Sequence, residues 1–263
     1  MGGGRFAGRA VLVTGSTGIG AAAARALAGE GASVFVVSRT ADHARELADS
    51  IAGAHWHAAD LAREEAAESA VAGCVSAFGR LDGLFNVAGI SGRRFGDGPL
   101  HELTAEGWDT VIAGNLRSMF LVSRAAVRQM RGQAPGPAGR RGAILNMSSV
   151  LAEHPSAPLF STHAYAASKG AINSFSRAVA AHYAADGIRV NVIAPALVAT
   201  PMSERAQSDP QILDYLRARQ PLAGGPMASD DLVGTILYLL SDEARMVTGQ
   251  VVSVDGGWSL GGP

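Results

Sequence analysis

The sequence predicts an α/β fold, a Rossmann-like doubly wound parallel sheet with helices on both faces, from three observations. Short apolar runs such as Ala10–Thr14 alternate with longer amphipathic stretches at a regular pitch, as strands buried on both faces and joined by crossover helices do. The first run leads into Gly15-Ser16-Thr17-Gly18-Ile19-Gly20 and then an alanine-rich helix, which turns free backbone N–H groups and a positive helix end toward one point. With 263 residues, 48% hydrophobic and 17% charged, the chain can bury a large core and is too apolar for disorder. No Pro/Ser-rich linker divides it, so one domain spanning residues 1–263 is expected.

Taken in order, the strand at 10–14 and the helix from about residue 21 flank a glycine turn whose Gly-x-x-Gly-x-Gly spacing suits a pyrophosphate cradle; a plain tight turn is its structural alternative. A second strand, 33–37, ends in Ser38-Arg39-Thr40. There an acidic residue would accept hydrogen bonds from an adenosine ribose. An arginine flanked by hydroxyls instead suits a 2′-phosphate, which favours NADP. NAD stays as the alternative, because the glycine loop holds no second cation.

A helix near 41–51, a strand near 54–58 that ends at Asp60 and Leu61, a helix near 63–78 and a strand 83–85 continue the alternation. Ligands of such sheets bind at the carboxyl ends of the strands, where Asp60, Leu61 and Asn86-Val-Ala88-Gly89 fall. Asp60 is read either as a helix N-cap or as a contact to the adenine side of a cofactor, and Asn86 either as a turn former or as such a contact.

A long amphipathic helix between 104 and 130 carries Asn115 in its middle, where asparagine is a poor helix former. Residues 131–141 break every period and read as an exposed loop. The strand 143–147 delivers Ser148-Ser149. After a loop at 151–162, with His154 and His163 read as rim histidines, comes Tyr165-Ala-Ala-Ser-Lys169. Residues four apart share one helix face, about 6 Å apart along the axis. A nearby ammonium is expected to pull the tyrosine pKa down from about 10, toward the range of a working general acid or base. A strand at 188–193 precedes Pro195-Ala-Leu-Val198-Ala-Thr200. A polar helix, 211–219, lies between prolines and the Gly224-Gly225 pair, and segment 201–225 reads as a lid. A helix near 230–240 and a strand 250–254 complete the sheet.

Thr14-Gly15-x-x-Gly18-Ile19-Gly20, Asn86-x-Ala88-Gly89, Asn115, Ser148-Ser149, Tyr165-x-x-x-Lys169 and the closing Thr248–Gly257 run stand in one order. By that set the chain resembles the short-chain dehydrogenase/reductase family in its compact, 3-oxoacyl reductase-like form, from about Arg9 to Trp258. The resemblance implies Asn115, Ser149, Tyr165 and Lys169 as the catalytic group, with Asn115 holding a relay water, Ser149 orienting a carbonyl and Lys169 also binding the nicotinamide ribose. Ser148 is the second candidate for the serine, because the loop before Tyr165 is longer than the family's. It also implies that Pro195, Val198 and Thr200 meet the nicotinamide, with Ala196 where the family has glycine, and that the apolar end around Trp258 makes subunit contacts in a homotetramer. The expected activity is hydride transfer between NADP and a carbonyl or secondary alcohol. An NAD-linked alcohol or sugar dehydrogenase, or a non-catalytic dinucleotide sensor, are the alternatives.

The formal net charge of −1 gives no reason to expect nucleic acid or an anionic membrane as partner. No apolar leader core starts the chain, and no apolar run reaches membrane-spanning length. The single cysteine, Cys74, cannot pair within the chain and reads as a buried thiol. A cytoplasmic protein is expected, and its chemistry calls for no metal.

Overall fold

The computed structural model describes residues 4–136, 139–157 and 159–260. The readings of residues 1–3 as part of a leaderless start, of 137 and 138 as exposed loop and of 158 as part of the lengthened loop lie outside the described residues. Seven parallel strands form one sheet: β1 (Ala10–Thr14), β2 (Ser33–Ser38), β3 (His55–Ala58), β4 (Gly83–Asn86), β5 (Gly142–Met147), β6 (Ile188–Pro195) and β7 (Val251–Val254). Their order is β3-β2-β1-β4-β5-β6-β7. The chain therefore reverses direction across the sheet between β1 and β4, which opens a crevice at their carboxyl ends.

The inner strands β1, β2, β4, β5 and β6 read as largely apolar runs because both faces are covered, whereas the edge strand β3 is mostly exposed. Val11, Val13, Val34 and Val36 join one core with helices α1 (Gly18–Gly29), α2 (Ala41–Asp49) and, from the far end of the chain, the helix Val233–Leu240. Their neighbours Ala10, Leu12, Phe35 and Val37 join a second core on the other face, with α3 (Glu64–Phe78) and later helices. The period of two along each strand thus divides the residues between two cores, and no residue of β1 is left for solvent.

The expected long helix at 104–130 is three pieces. α4 (Ala105–Val111) passes into a π-helical stretch, Ile112–Arg117, before α5 (Ser118–Gly132). The wider turn contains Asn115, and single-turn π insertions often mark functional positions. Beneath the carboxyl ends of the central strands runs a buried polar ladder. Asn86 Nδ2 donates to Ser123 Oγ (3.0 Å) and to Asn146 Oδ1 (2.9 Å), and Asn146 Nδ2 donates to Ser176 Oγ (2.9 Å). Asn86 therefore ties β4 to β5 and α5, and its amide nitrogen is engaged inside the fold.

α6 (His163–Tyr183) is the longest helix. Beyond β6, the expected single helix of the 201–225 segment is a 3-10 turn (Pro201–Ser203) followed by α7 (Glu204–Ser208) and α8 (Pro210–Arg219). Ser203 Oγ closes this start by donating to Val198 O (2.6 Å) and accepting from Thr200 N (3.0 Å). α9 (Val233–Leu240) completes the helices. Trp258, expected at a subunit contact, is instead 1% exposed within its own chain, its ring packed edge-on against Phe160 and Tyr215 with centroids 5.6 Å away in each case. No helix among the described residues is long and apolar enough to cross a membrane.

Candidate active site

A cleft of about 490 Å³ opens at the carboxyl ends of β1, β4, β5 and β6. Its lining takes in Gly15, Thr17, Gly18 and Ile19 at one end, Ala88, Gly89, Ser149, Tyr165 and Lys169 in the middle, and Trp258 at the other end. Pro195, Val198 and Thr200 also line it. The structure thus gathers into one space most of the residues picked out from the sequence.

At the glycine end, Gly18 has φ +51°, and a Cβ built there would stand 2.8 Å from Thr200 Cγ2. Only glycine lets the loop and the segment after β6 close to this distance. The turn is held from below by Thr14, whose Oγ1 accepts from the amides of Val87 (3.0 Å) and Ala88 (3.1 Å). Ser16 is 7% exposed, and its buried Oγ has no hydrogen-bond partner among the described residues. A buried hydroxyl without a partner is costly, and in a glycine turn at a helix N-terminus a phosphate oxygen is the group that would satisfy it. A dinucleotide therefore fits the residues present.

Ser38, Arg39 and Thr40 stand at the end of β2, one strand away from the turn, where Gly15 N donates to Val37 O (2.6 Å). Arg39 is exposed and makes no ion pair among the described residues. Asp60 is also exposed, and Leu61 beside it is buried. Asp60 does not cap α3: its Oδ1 accepts from Ala62 N (3.1 Å) in a local turn, and the N-cap position belongs to Arg63. These five residues lie outside the cleft lining, beside its nucleotide end.

In the middle of the cleft, Tyr165 and Lys169 rise from the first turns of α6. Asp97 positions this helix by accepting from Ala164 N (3.0 Å) and Tyr165 N (2.9 Å). Sequence reading missed Asp97, because the segment that carries it lies 67 residues before the helix it caps. The Tyr165 phenol hydrogen-bonds to Ser149, whereas Ser148 Oγ donates to Lys169 O (3.0 Å) on the body of the helix. Of the two serines, Ser149 is the one turned to the phenol.

Asn115 is 1% exposed. Its Oδ1 accepts from Ile90 N (2.7 Å), and its Nδ2 donates to Ile90 O (3.1 Å) and Ser168 Oγ (3.2 Å). Gly89 completes the contact: a Cβ there would lie 2.8 Å from Asn115 Oδ1 and 3.7 Å from Lys169 Nζ. Asn115, Gly89 and Lys169 are therefore packed against each other with no room for another carbon.

The electrostatics correct one expectation. Lys169 was expected to pull the tyrosine pKa down, yet burial pushes the phenol above its ordinary value, and the Ser149 hydrogen bond only partly opposes this. Lys169 Nζ lies 5.4 Å from the centre of the tyrosine ring and donates to Met147 O (2.9 Å). Burial also lowers Lys169 to about 8. Spacing on a helix cannot reveal that both groups leave water, and desolvation is the largest cause of both shifts. The phenol holds its proton at neutral pH. His163 Nδ1 lies 2.8 Å from Gly98 O, and His154 accepts through its carbonyl from Trp258 Nε1 (3.3 Å); neither histidine lines the cleft.

A glycine-turn crevice and a buried Tyr–Ser–Lys cluster on a parallel sheet define a nicotinamide-dependent oxidoreductase of alcohols and carbonyls. A family profile described as enoyl-(acyl carrier protein) reductase matches residues 13–259. The chain is 36% identical over 258 residues to cis-4-hydroxycyclohexanecarboxylate dehydrogenase of Sinomonas cyclohexanicum, covering 97% of this chain and 98% of that one. It is also 36% identical over 255 residues to L-xylulose reductase of Bos taurus, with the same coverage. The crystal structure of a 3-ketoacyl-(acyl-carrier-protein) reductase from Brucella melitensis, complexed with NADH, superposes with a TM-score of 0.85 at 29% identity, covering 96% of this chain and 99% of that one. The chain belongs to the short-chain dehydrogenase/reductase family.

Proposed function

We propose that the protein reduces a carbonyl group, or in reverse oxidises the matching secondary alcohol, with Tyr165 as general acid/base and NADP as the preferred dinucleotide. The observation that carries the reading is the phenol of Tyr165 in the cleft, hydrogen-bonded to Ser149 and with Lys169 Nζ 5.4 Å from its ring centre. A phenol in this state is a proton donor, the role that reduction requires. When bound, the dinucleotide supplies or accepts the hydride.

Each residue has a part that follows from its position. Ser149 shares its hydroxyl with the phenol and orients the carbonyl oxygen between them. Lys169, buried beneath the ring, replaces the tyrosine proton electrostatically as the phenolate forms and holds the nicotinamide ribose. Asn115, fixed by Ile90 and packed on Gly89, keeps the relay water that connects Lys169 to solvent. At the other end Gly15, Ser16, Thr17, Gly18, Ile19 and Gly20 take the pyrophosphate, with Ser16 Oγ satisfied there. Asp60, Leu61, Ala88 and Gly89 border the adenine side, where Asn86, expected as a contact, instead braces the strand ends from inside the fold, and Pro195, Val198 and Thr200 border the nicotinamide.

Arg39 supports NADP. It stands free of ion pairs at the end of β2 with Ser38 and Thr40 on either side, able to grip a phosphate bidentately. The Brucella neighbour's NADH favours NAD as the second reading. Segment 201–225 acts as the lid of one domain, and half-buried Val251, Val252 and Val254 on edge strand β7 support a homotetramer. The lone buried thiol of Cys74, raised to about 12 by burial, suits a reducing cytoplasm.

Two measurements test this. Parallel fluorescence titrations with NADPH and NADH should favour NADPH by about tenfold or more, about 1.4 kcal/mol; equal or reversed affinity retires the NADP assignment. Tyr165→Phe should lower kcat by about 10³-fold with dinucleotide binding retained, and a normal rate would remove Tyr165 from the chemistry.

A further inference from the structure

Three guanidinium groups, those of Arg93, Arg94 and Arg205, line the cleft beyond Tyr165 and have no part in the chemistry above. Arg93 comes from the short 3-10 turn Arg93–Phe95 after β4, and Arg205 from α7. They belong to elements far apart in sequence, yet they stand close enough for the charge of Arg205, together with burial, to lower the pKa of Arg93.

Arg93 is fixed in place, since its Nη2 donates to Leu159 O (2.9 Å) in the lengthened loop before α6. The carboxylate whose charge acts on it, Asp97, already receives Ala164 N and Tyr165 N on its two oxygens. Arg205 has only a long contact to Asp209, 3.7 Å away on its own segment. Arg94 adds a third cation to the lining, and Glu204 is the single carboxylate there. Between this basic end and Ser149 the lining is apolar, with Leu151, Phe160, Leu197 and Trp258. Both side chains stay open to solvent at the mouth of the cleft, Arg205 with 55% of its side chain exposed, where an entering anion can reach them, and guanidinium forks match a carboxylate in shape and charge.

We propose that Arg93 and Arg205 clamp a carboxylate at the far end of the substrate, which makes the substrate an oxo acid or hydroxy acid whose apolar body spans the cleft to Tyr165. The proposal rests on the carbonyl-reducing site described above and adds the chemical class of what enters it. Because the clamp holds a part of the molecule that does not react, its loss should raise KM more than it lowers kcat.

The test uses a charged and a neutral compound with the same ring, 4-oxocyclohexanecarboxylate and its methyl ester, on the wild-type protein and the double variant Arg93→Gln/Arg205→Gln. The wild type should favour the acid over the ester in kcat/KM by at least tenfold, and the double variant should bring that ratio down by at least tenfold, mostly through KM. A ratio equal in the two proteins, or a wild-type preference for the ester, overturns the clamp. Calorimetric binding of the acid to the NADP-saturated proteins separates the clamp from the chemistry. If neither compound turns over, the catalytic reading fails for this pair, but acid binding at least tenfold tighter in the wild type still supports the clamp. Equal binding overturns it. Unaltered NADPH affinity and melting temperature would show that the variant is folded.

Discussion

At the nucleotide end of the cleft the contacts are made by backbone: a glycine turn, a helix N-terminus and Thr14 holding two amides in place. At the substrate end they are made by side chains drawn from distant segments, with Phe160, Tyr215 and Trp258 packed together and Arg93 hung from Leu159. The contrast is one of how position is secured. Backbone geometry is written locally, in glycines and in the apolar run before them. A wall made of side chains depends on which loops the whole fold brings together.

The sharpest way to break this division is to disturb the place where the two ends meet. Gly89→Ala puts a carbon 2.8 Å from Asn115 Oδ1. The asparagine must then release Ile90 and tilt toward Lys169. We expect kcat to fall by about 10²-fold, about 2.7 kcal/mol. A variant with unchanged turnover would mean that the Asn115 packing is not needed.

Next in size is the cost of the buried ammonium. Lys169 titrates at about 8 in the fold and at 10.5 as a free side chain. The folded value is the lower one, so the penalty on stability is present in full below about pH 8 and fades as the pH rises toward 10.5. Lys169→Met removes that penalty but leaves Met147 O without its donor. The net gain should be about 2 kcal/mol at pH 7, where the lifted penalty exceeds the lost hydrogen bond, and turn into a loss of about 1 kcal/mol near pH 10.5, where only the lost hydrogen bond remains, while turnover is lost. Denaturant melts of both proteins at the two pH values would show it; a gain that does not shrink with pH would contradict the buried-charge account.

The smallest effect belongs to the exposed edge of the nucleotide end. Arg39→Asp should move the NADPH-to-NADH affinity ratio by about tenfold toward NADH, measured by titration, and leave the melting temperature within a degree or two. An unchanged ratio would place the phosphate elsewhere.

The same division decides what could be read from the chain beforehand. The strands, the glycine turn, the Asn86–Gly89 stretch and the Tyr165/Lys169 pair were legible, because each is local and governed by a period or a turn requirement. The π stretch at Ile112–Arg117 was not, since it depends on Asn115 bonding to Ile90 across a loop. Nor was Asp97, whose carboxylate caps a helix far along the chain. The choice between Ser148 and Ser149 followed from the direction of two neighbouring side chains on leaving β5, which no spacing records. The upward shift of the Tyr165 phenol escaped for a different reason: the pair was visible, but the water it loses was not.

Trp258 carries a practical consequence for anyone handling this protein. Its ring is one wall of the cleft, yet it opens the short turn Trp258–Leu260, held by Asp255 through Gly257 N (2.9 Å) and Ser259 N (2.9 Å). A substitution at Asp255, which is not among the residues lining the cleft, would loosen that wall and alter substrate preference without touching a catalytic residue, so Asp255 is the place from which to vary substrate choice.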